Sequence, residues 1–152
     1  MSAPYRETLS RSGFRFVEKL LYDYKTYDTA IKEAEAEINN TLEEITELQA
    51  ATLDGMPHGT GKNSPTESYV LKRDNLQIKY LKNRIDEMKR HKEAIEKAMI
   101  YMTDTEKLLI KLMYDREKTP KQCMREMHVA KTTWYEMRTK IVYKIASHLG
   151  IY

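Results

Sequence analysis

The stretch TPKQCMREMHVAKTTWYEMRTKIVYKIASHLG, residues 119–150, decides the fold of the C-terminal part of this chain. Its beginning reads as a helix start, because Thr119 can cap, Pro120 suits the first helical position and Gln122 can reach back. Gly150 suits a helix end. Between them, the apolar residues have the spacing of two short helices crossing at a tight turn; they are Cys123, Met127, Val129, Trp134 and Met137. We therefore predict a helix-turn-helix whose second helix begins at Lys131.

The polar residues outside this predicted core form a candidate DNA-reading surface. Those of the second helix that can face a major groove are Lys131, Thr132, Thr133, Tyr135, Glu136, Arg138 and Thr139. Arg138 can pair with a guanine edge and Glu136 with a cytosine amino group. Predicted phosphate contacts are Lys121, Lys140 and Lys144. These residues span more than half of the helix circumference, so they cannot all enter one groove. The alternative is a helical subdomain without a DNA role, whose lysines lie on a solvated face.

Composition predicts an all-α chain. Charged residues make up 32% of it, while it holds only five glycines and four prolines, a balance typical of long helices with few turns. Residues 1–65 carry seven cations against eleven carboxylates, whereas residues 103–152 carry ten cations against six carboxylates. Positive charge is thus concentrated in the predicted helix-turn-helix, as expected of a module that meets phosphates.

Two longer helices should precede that module. The first, from about Thr26 to Leu53, has an apolar seam with steps of three and four: Tyr27, Ile31, Ala34, Ile38, Leu42, Ile45, Leu48 and Thr52. The second should begin at Ser64-Pro65-Thr66-Glu67, and its seam, interrupted at Lys92, is Ile78, Leu81, Ile85, Met88, Ile95, Met99 and Met102. A Gly/Pro-rich loop at 54–64 separates them. Each seam can pair within an antiparallel hairpin or with a second copy of the chain, and the sequence does not decide between these outcomes.

We accordingly divide the chain into a helical N-terminal region, 1–102, with the long hairpin, and a helix-turn-helix module, 103–152. Thr103 and Glu106 form a capping box that should open the module. The helix after it is predicted to bury Leu108, Leu109, Leu112 and Met113. An earlier helix, 13–24, should place Phe14, Phe16, Val17, Leu20, Leu21 and Tyr24 on its apolar side.

Other classes of function find little support in the sequence. The four histidines are scattered, and no nucleophile or carboxylate pair has a spacing that would focus on one site, so we do not expect an enzyme. No metal or cofactor is expected, since no Cys/His cluster has ligand spacing. The segment from Gly55 to Lys62 lacks the spacing and the Ser or Thr of a phosphate loop. No apolar run is long enough for a membrane span, and the single Cys123 suits a reducing cytoplasm.

Two sets of segments carry a family resemblance. TDTEKLLIKLMY (103–114), MHVAKTTWY (127–135) and IASHLG (145–150) resemble region 4 of bacterial sigma factors. YDYKTYD (22–28) and DGMPHGTGKNSPTE (54–67) are similar to the ArpU/RinA group of phage-encoded transcriptional regulators. The resemblance implies a regulator of late phage genes for packaging, structure or lysis. Such a protein would bind double-stranded promoter DNA and help host RNA polymerase in the bacterial cytoplasm.

The leading expectation is therefore a sequence-specific transcriptional activator, with a homodimer as one arrangement. One alternative is a small terminase subunit, a DNA-packaging adaptor that also joins a helix-turn-helix to oligomerisation helices. Another is a helical protein-interaction module without DNA binding. Family resemblance and chemistry assign no role to the loop at 54–64 beyond turning the chain between two helices.

Overall fold

The computed structural model describes residues 9–54 and 65–151, with their side chains at 9–50 and 68–151. Over these ranges the fold is all-α without a strand, as the sequence predicts. The helices are α1 (Arg11–Asp23), α2 (Tyr27–Asp54), α3 (Pro65–Ile100), α4 (Asp104–Ile110), α5 (Pro120–Met127) and α6 (Lys131–Leu149). A 3-10 turn, Tyr24–Thr26, joins α1 to α2, and a π-helical turn, Lys111–Asp115, continues α4.

Local side-chain chemistry sets the starts of α4 and α5. The amide of Glu106 donates to Thr103 Oγ1 at 3.2 Å, and the amide of Thr103 donates to Glu106 Oε1 at 3.3 Å. The same reciprocal pair joins Thr119 and Gln122, at 3.3 and 3.0 Å. Both capping boxes satisfy amides that the first helical turn leaves without partners. These two helix starts are confirmed as predicted.

The third predicted helix start is that of α3. Helix α3 begins at Pro65, as expected, whereas the predicted cap Ser64 and the loop residues 55–64 lie outside the described residues. Along the described parts of the chain, no helix combines the length and apolar character needed to cross a membrane.

The chain divides into two compact units, and the division differs from the predicted one. One unit holds Asp28–Lys89, which is the helical hairpin. The other combines the chain up to Tyr27 with everything from Arg90 onward. The boundary predicted from the sequence lies between 102 and 103. The structure instead places α1 and the end of α3 in the same unit as α4, α5 and α6, which we call the helix-turn-helix unit.

The core of the helix-turn-helix unit draws on every one of its helices. Its fully or almost fully buried side chains include Val17 and Leu21 of α1, Ile95 and Ala98 of α3, Leu109 of α4, Cys123 of α5, and Trp134, Ile141, Val142 and Ile145 of α6. Helix α1 packs along α6. Burial of apolar surface is the main stabilising term in folding, so α1 contributes directly to the stability of this unit.

Two residues predicted to face inward do not. Phe16 and Leu108 are each 41% exposed. On α1 the buried face follows Val17, Leu20 and Leu21, so Phe16 lies to one side and contacts the His91 ring edge-on, with 5.9 Å between ring centroids. On α4 the buried face passes through Leu109 and Ile110, so Leu108 lies outside it.

The hairpin unit pairs the apolar seams of α2 and α3. Buried side chains are Ile31, Ala34, Ile38 and Thr41 on α2, and Ile78, Leu81, Ile85 and Met88 on α3. Between the helices, Gln77 Nε2 donates to Glu37 Oε1 at 3.2 Å, and Lys89 Nζ lies 3.7 Å from Glu35 Oε1. The sequence left two pairings open, and this unit shows pairing within the chain.

One seam position on α2 was predicted wrongly. Leu42 is 45% exposed, and Thr41 occupies the seam at 9% exposure. Strict alternation of four-residue and three-residue steps leads from Ile38 to Thr41, whereas Leu42 lies about 100° further round the helix. The hydroxyl of Thr41 donates to the Glu37 carbonyl at 2.9 Å, which satisfies it inside the seam. Helix geometry therefore outweighs the greater hydrophobicity of leucine here.

Candidate nucleic-acid interface

Helices α5 and α6 are joined by a turn of three residues, His128 to Ala130. His128 adopts the left-handed conformation, φ 56° and ψ 43°, and its amide donates to the carbonyl of Met124. The amide of Val129 donates to the same carbonyl at 3.2 Å. Glycine is the usual residue in this conformation, and for histidine it costs roughly 1–2 kcal/mol. Helix α5 therefore ends with a left-handed residue, as many helices do, and the packing around the turn must offset the conformational free energy that histidine costs there.

Two of the five apolar residues predicted to form the core under this turn are fully buried. Cys123 and Trp134 are completely buried, while Met127, Val129 and Met137 are half-buried. The Trp134 ring meets the Tyr135 ring edge-on, with 5.0 Å between centroids. Burial, followed by the negative charge of Glu126, raises the pKa of the Cys123 thiol. Cys123 is therefore a packing residue in its neutral form, and Trp134 packs the start of α6 into the core.

Four polar residues share the exposed side of α6, which we call the outer face: Thr132, Thr133, Glu136 and Lys140. At 3.6 residues per turn they fall within an arc of about 100°. Tyr135 and Lys131 are also exposed and lie about 60° and 100° beyond one edge of this arc. Ala130, which precedes the helix, offers no side chain to cap its first turn. The outer face thus carries hydroxyl, carboxylate and ammonium groups, the side-chain types that read base edges and phosphates.

Exposed lysine and arginine side chains lie on α6 and on the preceding helix α5. Lys121 and Arg125 are exposed on α5, and Lys131 and Lys140 are exposed on α6. Within the part of the chain that the structure describes, none of these four makes an ion pair. Lys118, by contrast, pairs with Glu126. Arg125 was not among the residues selected from the sequence, although its place one turn after Lys121 could have indicated it.

Arg138, predicted to read a base, is held inside the unit by Glu18 of α1. Its Nη2 lies 2.6 Å from Glu18 Oε1 and its Nε lies 3.1 Å from Glu18 Oε2, a bidentate ion pair. The guanidinium also lies 5.2 Å from the Phe14 ring centroid. Arg138 follows Trp134 by four residues, so it points only about 40° away from that buried ring. A contact from Arg138 Nη2 or Nε to DNA would require this pair to break.

Tyr114 completes the arrangement around Glu18. Its hydroxyl donates to Glu18 Oε2 at 2.8 Å, and its ring packs edge-on against Tyr22 with 4.8 Å between centroids. Burial, followed by the charge of Glu18, raises the pKa of Tyr114 far above its ordinary value. Tyr114 therefore keeps its proton and donates it in a hydrogen bond to this carboxylate. Glu18 and Tyr114 are not among the residues selected from the sequence, because nothing local to either residue indicates a partner about a hundred positions away.

Lys144, predicted to contact phosphate, is paired as well. Its Nζ lies 2.9 and 3.0 Å from the two carboxylate oxygens of Glu106, the buried residue of the α4 capping box. Thr139 is half-buried, and its hydroxyl donates to the carbonyl of Tyr135 at 2.9 Å. Lys144 therefore ties the middle of α6 to the start of α4. Of the ten residues selected from the sequence, seven are exposed, and Arg138, Thr139 and Lys144 are engaged within the fold.

No group of three or more His, Cys, Asp or Glu side chains that could hold a metal ion occurs among the described residues.

A family model described as a protein of unknown function, DUF722, matches residues 16–147. The chain belongs to this family. The DUF722 match extends from α1 into α6, and thus includes Glu18, Arg138 and the whole outer face. Comparison with curated proteins found no match, and comparison with solved structures found none.

Proposed function

We propose that this chain is a sequence-specific transcriptional activator that binds double-stranded promoter DNA through the outer face of α6. The observation that carries the proposal is the exposed polar arc of Thr132, Thr133, Glu136 and Lys140 on the second helix of a helix-turn-helix. A helix presented in this way, with its other sides packed, has the form in which α-helices enter a major groove.

In this proposal the side chains that read bases and those that contact phosphates differ from the ones expected from the sequence. Thr132, Thr133 and Glu136 are the base-reading side chains, and Glu136 accepts from a cytosine amino group. Phosphate contacts come from the exposed cations without ion pairs, Lys121, Arg125, Lys131 and Lys140. Arg138 and Lys144 hold α6 in place through Glu18 and Glu106.

The biological setting comes from the resemblance to ArpU/RinA regulators and to sigma region 4. It is the control of late phage genes in the bacterial cytoplasm, together with host RNA polymerase. This part of the proposal is tested separately from DNA binding, by transcription in vitro from a template that carries the bound sequence. Addition of the protein should raise transcription by the bacterial polymerase. DNA binding without any stimulation would contradict the activator role.

DNA binding is tested by selection from a randomised duplex library, followed by affinity measurements across a salt series. An enriched motif, bound less tightly as salt rises, is the expected result. Lys140→Ala should weaken binding to all duplexes alike and reduce the salt slope by about one. Lys107→Ala, which removes an exposed cation from α4, is the matched control and should leave both unchanged. No enrichment and no salt-dependent binding would overturn the proposal.

A further inference from the structure

Helix α3 has a second apolar stripe in addition to its seam. Tyr69, Leu76 and Tyr80 are 68%, 60% and 59% exposed. They are seven and four residues apart, so they share one face of the helix, and that face lies on roughly the opposite side from the seam residue Ile78. Single exposed apolar residues are ordinary, but three large ones aligned on one face indicate a contact surface. We call Tyr69, Leu76 and Tyr80 the aromatic stripe.

Positive charge flanks the aromatic stripe. Residues 68–84 carry five cations and one carboxylate. Lys72 and Lys79 lie along one edge of the stripe and Arg73 and Arg84 along the other, all four exposed. Within the described chain, the only ion pair of these four is a 3.7 Å contact between Arg73 and its neighbour Asp74. A partner for this surface therefore needs an acidic rim as well as room for two tyrosine rings.

Helix α2 carries such a surface on its own outer side. Residues 28–50 hold seven carboxylates against one lysine. Glu33, Glu43 and Glu47 lie on the side away from the seam, are exposed, and make no ion pair in the described part of the chain. Between them Ala36 and Asn40 are small and exposed, which leaves space for larger side chains. We call this surface the acidic face of α2.

We propose that the aromatic stripe of one copy of this chain packs on the acidic face of α2 in a second copy. Within one hairpin the two surfaces cannot meet, because both lie away from the seam that joins α2 to α3. Burying the stripe would remove on the order of 300 Å² from water. A specific interface buries about 800 Å² per partner, so the flanking charges and the acidic face are needed to complete it. Opposite charge selects α2 over a second α3, which would oppose cation to cation.

The test is the molar mass of the full chain in solution, measured by light scattering over a range of protein and salt concentrations. The wild type should associate into at least two chains and should dissociate as salt rises. A stripe variant, Leu76→Glu with Tyr80→Glu, and an acidic-face variant, Glu43→Lys with Glu47→Lys, should each be monomeric. Lys82→Glu changes charge on α3 outside the stripe and its flanks, and should associate like the wild type. Thermal unfolding confirms that every variant is folded.

Mixing the two monomeric variants is the decisive step. The stripe variant keeps its acidic face and the acidic-face variant keeps its stripe, so an equimolar mixture should form a complex containing one of each. A monomeric wild type at every concentration overturns the proposal and leaves another acidic protein as the occupant of the stripe. An acidic-face variant that still associates alone also overturns it, because the stripe would then be packing on itself. Loss of DNA binding is a separate result, since all these variants leave α5 and α6 intact.

Discussion

At the scale of single residues, the Glu18–Arg138 pair determines which side chains of α6 remain free. The two side chains are only 13% and 26% exposed, so the ion pair is largely removed from water. Tyr114 adds a hydrogen bond to the same carboxylate. Such a group of side chains is stable when complete and costly when one member is lost, because the remaining charge stays buried without a partner.

Glu18→Gln should therefore lower the free energy of unfolding by about 3 kcal/mol, since it leaves the Arg138 guanidinium without its carboxylate. Tyr114→Phe, which removes one hydrogen bond and keeps the ring, should cost only about 1 kcal/mol. Denaturant unfolding of Glu18→Gln, of Arg138→Met and of the variant with both changes would measure the coupling between these two residues. Additive effects of Glu18→Gln and Arg138→Met would contradict the role given to the pair.

Single residues also differ in how far the sequence predicts their place in the candidate site. Lys131, Thr132, Thr133 and Glu136 could be selected because apolar spacing alone fixes which side of α6 is buried. Arg138 and Lys144 could not be excluded in the same way. Whether a cation beside the core is free depends on a carboxylate from another helix, and Glu18 and Glu106 are distant from these cations in the sequence.

At the scale of secondary-structure elements, local signals were sufficient. Capping boxes at Thr103 and Thr119 and a left-handed Gly150, φ 71°, place helix ends where the sequence predicted them. These features depend on residues within one turn of each other, which a sequence displays directly. The exception is the seam of α2, where choosing the most hydrophobic residue gave Leu42 and strict heptad spacing gives Thr41.

Thr41→Leu should stabilise the hairpin unit, because it places an apolar side chain at a seam position that now buries a hydroxyl. The expected gain is about 1 kcal/mol in the free energy of unfolding, the size of one or two buried methylene groups. Leu42→Ala, the matched control one position on, should change it by less than about 0.5 kcal/mol, as surface substitutions do. A larger loss for Leu42→Ala than the gain for Thr41→Leu would show that the predicted seam was right after all.

At the scale of the whole molecule, the fold class agrees with the sequence prediction, whereas the two compact units do not meet at the predicted boundary of 102/103. Helical composition and the two seams predict an all-α chain with a hairpin, and the structure has both. The sequence could not predict that α1 belongs to the helix-turn-helix unit. An amphipathic pattern indicates that a helix has a buried face, but it does not identify the helices that cover this face. Val17 and Leu21 complete a core whose other members begin about seventy residues later.

A fragment of residues 103–152 should therefore not fold on its own. It lacks the core residues of α1 and α3, and its Arg138 has no Glu18. A fragment of about 50 residues buries too little surface to compensate for this loss. Circular dichroism should show low helicity and no cooperative melting of the fragment, whereas the full chain should melt cooperatively. A cooperative transition in the fragment would show that the predicted boundary at 102 marks an independent domain.

The central claim is that the outer face of α6 reads base sequence, and one comparison tests it most directly. Randomised duplex libraries are selected in parallel with the wild type and with Glu136→Ala, whose side chain is exposed and makes no ion pair in the described chain. We predict that the wild type enriches a defined motif and that the variant loses its preference at one position while the rest is kept, a change of roughly 1–3 kcal/mol in discrimination there. Identical motifs from both proteins, or no motif from the wild type, would contradict the account.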